Sequence, residues 1–421
     1  MSKSVAFTSV LLFLIWIGSQ SLVTAIDGSF VQAVGSWARA VTATVTTALD
    51  DSLANNHRNR QIHAAGETLE EDLTNASWLR RSVRTWGQVP LSHWGGVGNT
   101  QVYLGTAADD NAPWLFFAPA TDHLTAPDFL DPNVQRRRAK SSSAWEDLPQ
   151  TDPLLALHEL RAFLQPRGIE LVVLPAPSKA MLLPQHLHPE VSSGPLVHSS
   201  YSDLLSALAA MGVMAVDPVA LLDGLDPAVA PFLIRDSHWS PEAVDIVAQA
   251  TARQVLPYLD TPQANRYRRR NLLVANRGDL TDLLGLPPLR TFPEQQVEVL
   301  SVFEGNRPWR PNADASVLLL GDSFANIYSQ DALGWGTGSG LAEQLSFHLK
   351  QPVDKIVVNA GGAYGSREAW ARDLSTGARS LDHLKVVIYE FAARELSWGD
   401  WRLTEFSTAP NHSQSKRGSN P

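Results

Sequence analysis

Val317-Leu318-Leu319-Leu320-Gly321-Asp322-Ser323-Phe324-Ala325 contains four apolar residues closed by a glycine, and such a run reads as a buried parallel strand. Gly321 lets the backbone turn sharply, and the residues from Phe324 to Ser329 can open a helix. Ser323 then falls where a strand hands over to a helix, at the carboxyl edge of the sheet, where open α/β folds place their chemistry. Its hydroxyl can project from the turn while the amides of the first helical turn face a developing negative charge. Asp and Ser before a helix are also ordinary N-caps. Gly-Asp-Ser alone favours the cap.

A second stretch shifts the balance: Ile234-Arg235-Asp236-Ser237-His238-Trp239-Ser240-Pro241-Glu242. A serine nucleophile needs a base, and the base needs an orienting carboxylate. His238 and Asp236 supply both, in an extended segment that stops at a helix capped by Ser240 with Pro241 in its first position. Side chains at i and i+2 of a strand share a face, so a direct Asp-His bond requires a local bend. A lone His at a helix start is usually structural, and Asp-x-His also fits a fragment of a metal site. Against metal, no third ligand stands at metal-like spacing and the chain has no Cys. Ser323, His238 and Asp236 together favour covalent acyl chemistry, with no metal ligands and no cofactor expected.

The 421 residues are 44% hydrophobic and 18% charged, enough for a sizeable core. A net charge of −9 gives no sign of a nucleic-acid partner. The 13 Trp are mostly core or interface residues on expectation, although indole rings also stack on sugars. Absence of Cys excludes thiol catalysis and disulfides and fits an exported protein that folds without bridges.

Lys3 precedes a nearly apolar stretch, residues 5–23. A cation before such a stretch marks its inside end and places the rest of the chain outside the cytoplasm. The length is close to the roughly 20 residues that span a bilayer, so residues 1–25 read as a signal anchor in preference to a cleaved signal peptide ending near Ala25. Residues 26–92 read as a helical spacer, 93–405 as the catalytic domain and 406–421 as a polar tail.

Within the domain, 101–105 and 113–117 read as a hairpin, 136–143 as a charged loop, 152–166 as an amphipathic helix and 169–175 as a strand. Lys179 lies just past that strand, a surface lysine or a counter-charge for a substrate carboxylate. A helix over 201–211, a strand over 213–216 and a helix from 242 to about 259 come next. The Pro- and Arg-rich region 262–311, with Arg266, Arg268, Arg269 and Arg270, reads as a lid or flank, equally an exposed basic loop or a contact for an acidic glycan. The Gly-rich stretch 334–340 lacks the strand before and the Lys-Ser/Thr after that a phosphate loop needs. Strands over 356–358 and 386–391 then bring the turn Asn359-Ala360-Gly361-Gly362-Ala363-Tyr364-Gly365 and Arg394 to the edge that carries Ser323.

Gly-Asp-Ser-Phe, the earlier Asp-x-His-Trp, Asn-Ala-Gly-Gly-Ala-Tyr and Glu-Phe-Ala-Ala-Arg-Glu-Leu, in this order, resemble the alginate O-acetyltransferase family of the AlgX/AlgJ type over residues 98–403. The resemblance implies an α/β, SGNH-hydrolase-like three-layer αβα fold with a mainly parallel sheet. It also implies a permuted triad order, because Asp236 and His238 precede Ser323, whereas ordinary SGNH hydrolases place the pair after the serine. It implies Ser323 as nucleophile, His238 as general base and Asp236 as its orienting residue. The hydrolases' Asn donor is missing, which leaves oxyanion stabilisation to the Ser323 amide and the turn with Gly361 and Gly362. Tyr364, Arg394 and Lys179 stand as candidate substrate contacts. The chain looks like the anchored form without a C-terminal carbohydrate-binding module.

The expected activity is ping-pong transfer of an acetyl group through Ser323 onto hydroxyls of an exopolysaccharide. By the resemblance the acetyl group arrives through a multispanning membrane acyltransferase, alongside other exopolysaccharide assembly proteins, in the periplasm at the inner membrane. An extracytoplasmic carbohydrate esterase with the same triad and a non-catalytic scaffold of a secretion complex are the alternatives.

Overall fold

The computed structural model describes residues 101–407 apart from 110–111, 142–148, 189, 192–193, 227–228, 261–265 and 285–291. The expected signal anchor, the spacer, the domain start and the tail beyond 407 lie outside the described residues. No helix among the described residues is long and apolar enough to cross a membrane.

The chain opens on the hairpin β1 (Val102–Ala107) and β2 (Pro113–Phe117), with Tyr103 opposite Phe116. Helices α1 (Ala118–Asp122), α2 (Pro132–Ser141) and α3 (Pro153–Leu164) lead to β3 (Glu170–Ala176), then α4 (Tyr201–Ala210), β4 (Met214–Ala215) and α5 (Pro241–Val255). An excursion runs through β5 (Tyr267–Asn276), α6 (Asp279–Leu284), β6 (Gln295–Glu304) and β7 (Arg307–Pro308). The remaining elements are β8 (Val317–Gly321), α7 (Ser323–Asn326), α8 (Leu341–Leu349), β9 (Asp354–Val357), α9 (Gly365–Thr376), β10 (Val386–Ala392) and α10 (Glu395–Trp398).

Five strands make the central sheet in the order β4-β3-β10-β8-β9, every neighbouring pair parallel. All residues of β8 and β10 are buried, which is why neither alternates apolar with polar residues: β8 is an apolar run, and β10 is apolar but for Tyr389 and Glu390. The pleat sends Val172, Leu174, Leu319 and Ile388 to one face, under α5 and α8. It sends Leu171, Val173, Leu320 and Val387 to the other, under α3, α4 and α9. The result is three layers, αβα, and each buried Leu or Val contributes about 1.5–3 kcal/mol. Asp152 caps α3 by accepting from the Leu154 amide at 2.9 Å, and Ser240 caps α5 by accepting from the Ala243 amide at 3.2 Å, with Pro in the first helical position of each.

Three local expectations change. The run 136–140 is not a loop but the body of α2, and Arg138 lies across to the Leu396 and Gly399 carbonyls at 3.4 and 3.1 Å. The charged residues there cover a helix face, a pattern that composition alone does not separate from a loop. The region 262–311 carries a second sheet, β5-β6-β7, antiparallel over ten residues from Tyr267↔Glu304 to Asn276↔Gln295. Its arginines are largely engaged: Arg269 pairs with Asp245 and lies over the Phe347 ring at 3.7 Å, and Arg266 pairs with Glu304 at 2.8 Å. The helix after His238 stops at Val255 and tightens into a 3-10 turn, Leu256–Tyr258, because Pro257 cannot extend the amide ladder.

Candidate active site

Ser323 begins α7 directly after β8, with Asp322 as the N-cap whose Oδ1 accepts from the Phe324 amide at 2.8 Å. The turn is seated on the central strand. Asp322 Oδ2 accepts from the Ala392 amide at 3.0 Å, and the Asp322 amide donates to Glu390 Oε2 at 2.9 Å. A side chain at 321 has no room: its Cβ would meet Glu390 Oε2 and Ala325 Cβ, each at 2.8 Å. Burial pushes the Glu390 carboxyl well above the usual carboxylate range, and the neighbouring Asp322 charge adds to the rise. Glu390 is the one acid of its strand, and its surroundings favour the protonated form.

His238 lies on a loop instead of a strand. Phe232 bridges Trp239, the Leu233 amide donates to the His238 carbonyl at 3.2 Å, and the chain between folds back on itself. That is the bend an Asp-x-His contact requires. His238 Nδ1 donates to Asp236 Oδ1 at 2.6 Å, which leaves Nε2 facing Ser323 Oγ at 2.8 Å. Phe324 packs against the imidazole with ring centroids 4.9 Å apart, and the Trp239 indole donates to the Phe324 carbonyl at 2.9 Å.

Asp236 is fully employed. Oδ1 also accepts from the His238 amide at 3.0 Å, while Oδ2 accepts from the Trp335 indole at 2.8 Å and the Asp279 amide at 3.1 Å. Burial pushes this carboxyl upward, but the His238 charge and the hydrogen bonds outweigh it and hold the group down at about 2. For His238, burial pulls the imidazole down, and the Asp236 charge and hydrogen bond, with Asp279 and Asp322 behind them, raise it above its ordinary value. Asp279 turns its carboxyl inward although 40% of its side chain meets solvent. Burial and the Asp236 charge lift it to about 6.

Asp279 supplies the third donor that sequence spacing does not reveal: Asp236, His238 and Asp279 hold their ligand atoms within 4.8 Å of one another. The lone pairs a cation would use already face protein donors, the four on Asp236 and, on Asp279, the Ser237 amide at 2.7 Å and hydroxyl at 2.5 Å. The set fits an orienting cage for an imidazole better than a metal centre.

The remaining predicted residues divide. Arg394 lies beside the serine turn, its guanidinium 6.0 Å from the Phe324 ring, 5.3 Å from the Phe117 ring and 3.4 Å from Glu395. Lys179 is neither at the surface nor open to a substrate. It is 3% exposed, and Nζ donates to the carbonyls of Leu115 at 2.6 Å and Ile234 at 2.9 Å, tying the hairpin to the loop that carries Asp236. Burial brings its pKa down to about 7, with Asp236 and Asp279 pulling back up. The Gly361 amide is committed to the Val358 carbonyl at 3.0 Å and so closes its own turn, whereas Gly362 holds the left-handed φ of 55° beside Glu395. Tyr364 caps α9 and is covered by Arg402 at 4.1 Å.

Sequence reasoning misses Trp335, Asp279 and Glu390. A lone acid inside Val-Val-Ile-Tyr-Glu-Phe-Ala is the visible signal for Glu390. Trp335 is the one aromatic among the glycines of 334–340, and nothing local marks Asp279.

A parallel sheet between two helix layers, with a serine, histidine and aspartate in line at its carboxyl edge, is a layout that serine-dependent hydrolases and acyltransferases share. A family model described as "SGNH hydrolase-like domain, acetyltransferase AlgX" matches residues 136–393, more than half of the chain, and the protein belongs to that family. It is 29% identical over 243 residues to the "Probable alginate O-acetylase AlgJ" of Pseudomonas aeruginosa, covering 55% of this chain and 61% of that one. It is 28% identical over 262 residues to the protein of the same description from Azotobacter vinelandii, covering 61% and 65%. The matches thus span less than two thirds of these relatives. In fold, the chain is similar to the O-acetyltransferase domain of Pseudomonas putida AlgJ, with a TM-score of 0.52 at 20% identity over 72% of this chain and 96% of that one. It is also similar to Pseudomonas aeruginosa AlgX, with a TM-score of 0.50 at 18% identity over 69% and 62%.

Proposed function

We propose that the protein is an O-acetyltransferase that moves an acetyl group through Ser323 onto hydroxyls of an exopolysaccharide such as alginate. The observation that carries this reading is the line Asp236 Oδ1, His238 Nδ1, His238 Nε2, Ser323 Oγ, with contacts of 2.6 and 2.8 Å. His238 takes the Ser323 proton as Oγ attacks the acetyl carbonyl, and Asp236 stabilises the imidazolium that forms. The Phe324 amide already donates to Asp322, which leaves the Ser323 amide as the donor of this turn for the oxyanion. The tetrahedral adduct expels the donor's alkoxide, which takes the proton back from His238 and leaves acetyl-serine. A sugar hydroxyl then gives its proton to His238, attacks the ester and releases Ser323. Family membership supports transfer to a glycan. It also supports a periplasmic setting at the inner membrane, with the acetyl donor delivered by a multispanning membrane acyltransferase among other assembly proteins.

Intact-mass spectrometry of the full-length chain after exposure to an activated acetyl ester tests the reading. One acetyl adduct is expected on the wild type, none on Ser323→Ala, with passage of the acetyl group to added oligosaccharide. Turnover of the ester without an acetylated sugar would make the protein a carbohydrate esterase. A folded wild type with neither adduct nor turnover would overturn the acyl-serine and leave the scaffold of a secretion complex.

A further inference from the structure

The rim beside Ser323 carries two exposed aromatic rings. Trp398 is 48% exposed and Tyr103 39% exposed; among the described residues the other aromatics, Tyr258 apart, are buried or half-buried. Leaving such surface in water forfeits about 25 cal/mol for each Å², so a reason for the exposure is called for. Both rings are pinned at their polar ends. The Trp398 indole donates to the Pro119 carbonyl at 2.8 Å, and the Tyr103 hydroxyl donates to Asp122 Oδ1 at 2.8 Å. Both anchors belong to α1, three residues apart, about 4.5 Å along a helix axis. Each hydrogen bond restrains the orientation of its ring.

These rings continue from the catalytic turn. Phe324 follows Ser323 and packs on His238, and Arg394 lies over both Phe324 and Phe117. Arg394 is the N-cap of α10, and one turn further on the same helix stands Trp398, whose amide donates to the Arg394 carbonyl at 3.1 Å. Phe117 leads directly into α1, whose ends hold the two rings. A path therefore runs Ser323, Arg394, Trp398, Tyr103, with a cation nearest the nucleophile and fixed aromatic surface beyond it. An apolar face suits the C–H face of a pyranose, and a guanidinium suits a carboxylate on the neighbouring unit.

Resting on the acetyltransferase reading, we propose that Trp398 and Tyr103 form a pyranose-stacking subsite which, with Arg394, holds an acidic glycan strand several units long across the Ser323 site.

The test is calorimetric binding of a hexamannuronate probe to full-length Ser323→Ala, where no acyl chemistry takes place, so that the outcome does not depend on the acyl-serine. Adding Trp398→Ala or Tyr103→Ala is expected to weaken binding about tenfold each. Trp398→Phe, which keeps a ring and loses the indole bond, is expected to stay within about threefold of the parent. Cellohexaose, which has no carboxylates, is expected to bind less tightly than the uronate hexamer and to lose affinity with Trp398→Ala in the same proportion. Thermal melts of each variant confirm the fold. Hexamer affinity unmoved by Trp398→Ala, or no binding of the hexamer to the parent, would overturn the subsite. An acetyl-serine that fails to form in the wild type would overturn the reading beneath it instead.

Discussion

Ser323 and His238 face each other across 2.8 Å, yet the two are held by different means. The serine turn is seated on the sheet: β8 delivers it, the Ala392 amide and Glu390 clamp Asp322, and Gly321 is squeezed between neighbours. The loop of the base has no regular element of its own. Lys179 and the Leu115 amide hold the Ile234 carbonyl, Gln295 accepts from the Ile234 amide at 2.8 Å, and Trp335 with the Asp279 amide grips Asp236. Gly278 completes this grip, since a Cβ there would strike the Arg235 carbonyl at 2.3 Å. One half of the site rests on a strand of the central sheet, with Glu390 of the neighbouring strand as its clamp; the other has no regular element and is held by groups contributed from several distant parts of the chain. The first depends on two paired strands, whereas the second depends on contacts from Lys179, Asp279, Gln295 and Trp335.

Substitutions can break this contrast or sharpen it. The largest effect is expected from Ser323→Ala, which removes the nucleophile and lowers the initial rate of acyl transfer by about 10⁴-fold or more; a rate within tenfold of wild type would show that the serine is not the acyl carrier. Asp236→Asn comes next. It leaves the shape but favours the wrong imidazole tautomer, with kcat down about 10³–10⁴-fold by stopped-flow or steady-state assay.

Trp335→Phe takes one donor from the buried Asp236 carboxylate, and a hydrogen bond to a charged group contributes about 1.5–3 kcal/mol. A loss of roughly 10–100-fold in kcat with KM little changed is expected, and full activity would mean that the side-chain cage is not what holds the base.

Glu390 tests the other half. Glu390→Gln, which copies the neutral acid, is expected to keep the melting temperature within a few degrees and the rate within threefold. Glu390→Leu leaves the Asp322 amide without its acceptor and should cost about 1–3 kcal/mol in a denaturation experiment. Equal behaviour of the two would show that the acid does not seat the turn.

The smallest effect is a shift in pH dependence. His238 acts as a base only when neutral, so activity falls as pH drops through its raised pKa. Asp279 contributes to that rise. Asp279→Asn should therefore move the acid limb of the kcat/KM profile to lower pH, whereas movement to higher pH would contradict the charge assignment.

The same contrast explains what can be read from the sequence. The strand, the turn and Ser323 come from nine consecutive residues, because apolar run, glycine and cap act on neighbours. Asp236 and His238 are legible for the same reason, and so is the need for a bend. Trp335, 99 positions from Asp236, and Asp279, 43 positions away, become partners only through the fold, and no local pattern announces them. Lys179 shows the opposite failure. A lysine after a strand reads as surface by composition, yet its ammonium is buried between two backbone carbonyls. Helix α2 and the β5-β6 ribbon are hidden by their charged residues, which mark loops on average and here belong to regular elements, while the prolines of 262–311 lie outside the two long strands.

Strand order sets a timetable. The middle lane of the sheet belongs to β10, the last of the described strands, and β3 and β8 each pair with it and not with each other. At about 5–20 residues per second of synthesis, Ser323, His238 and Asp236 are all made several seconds before the strand on which the Ser323 turn rests. Pairing that spans such separations is slow and leaves strand edges open in the meantime. A nascent chain halted short of residue 386 holds every member of the triad and no floor on which to assemble it.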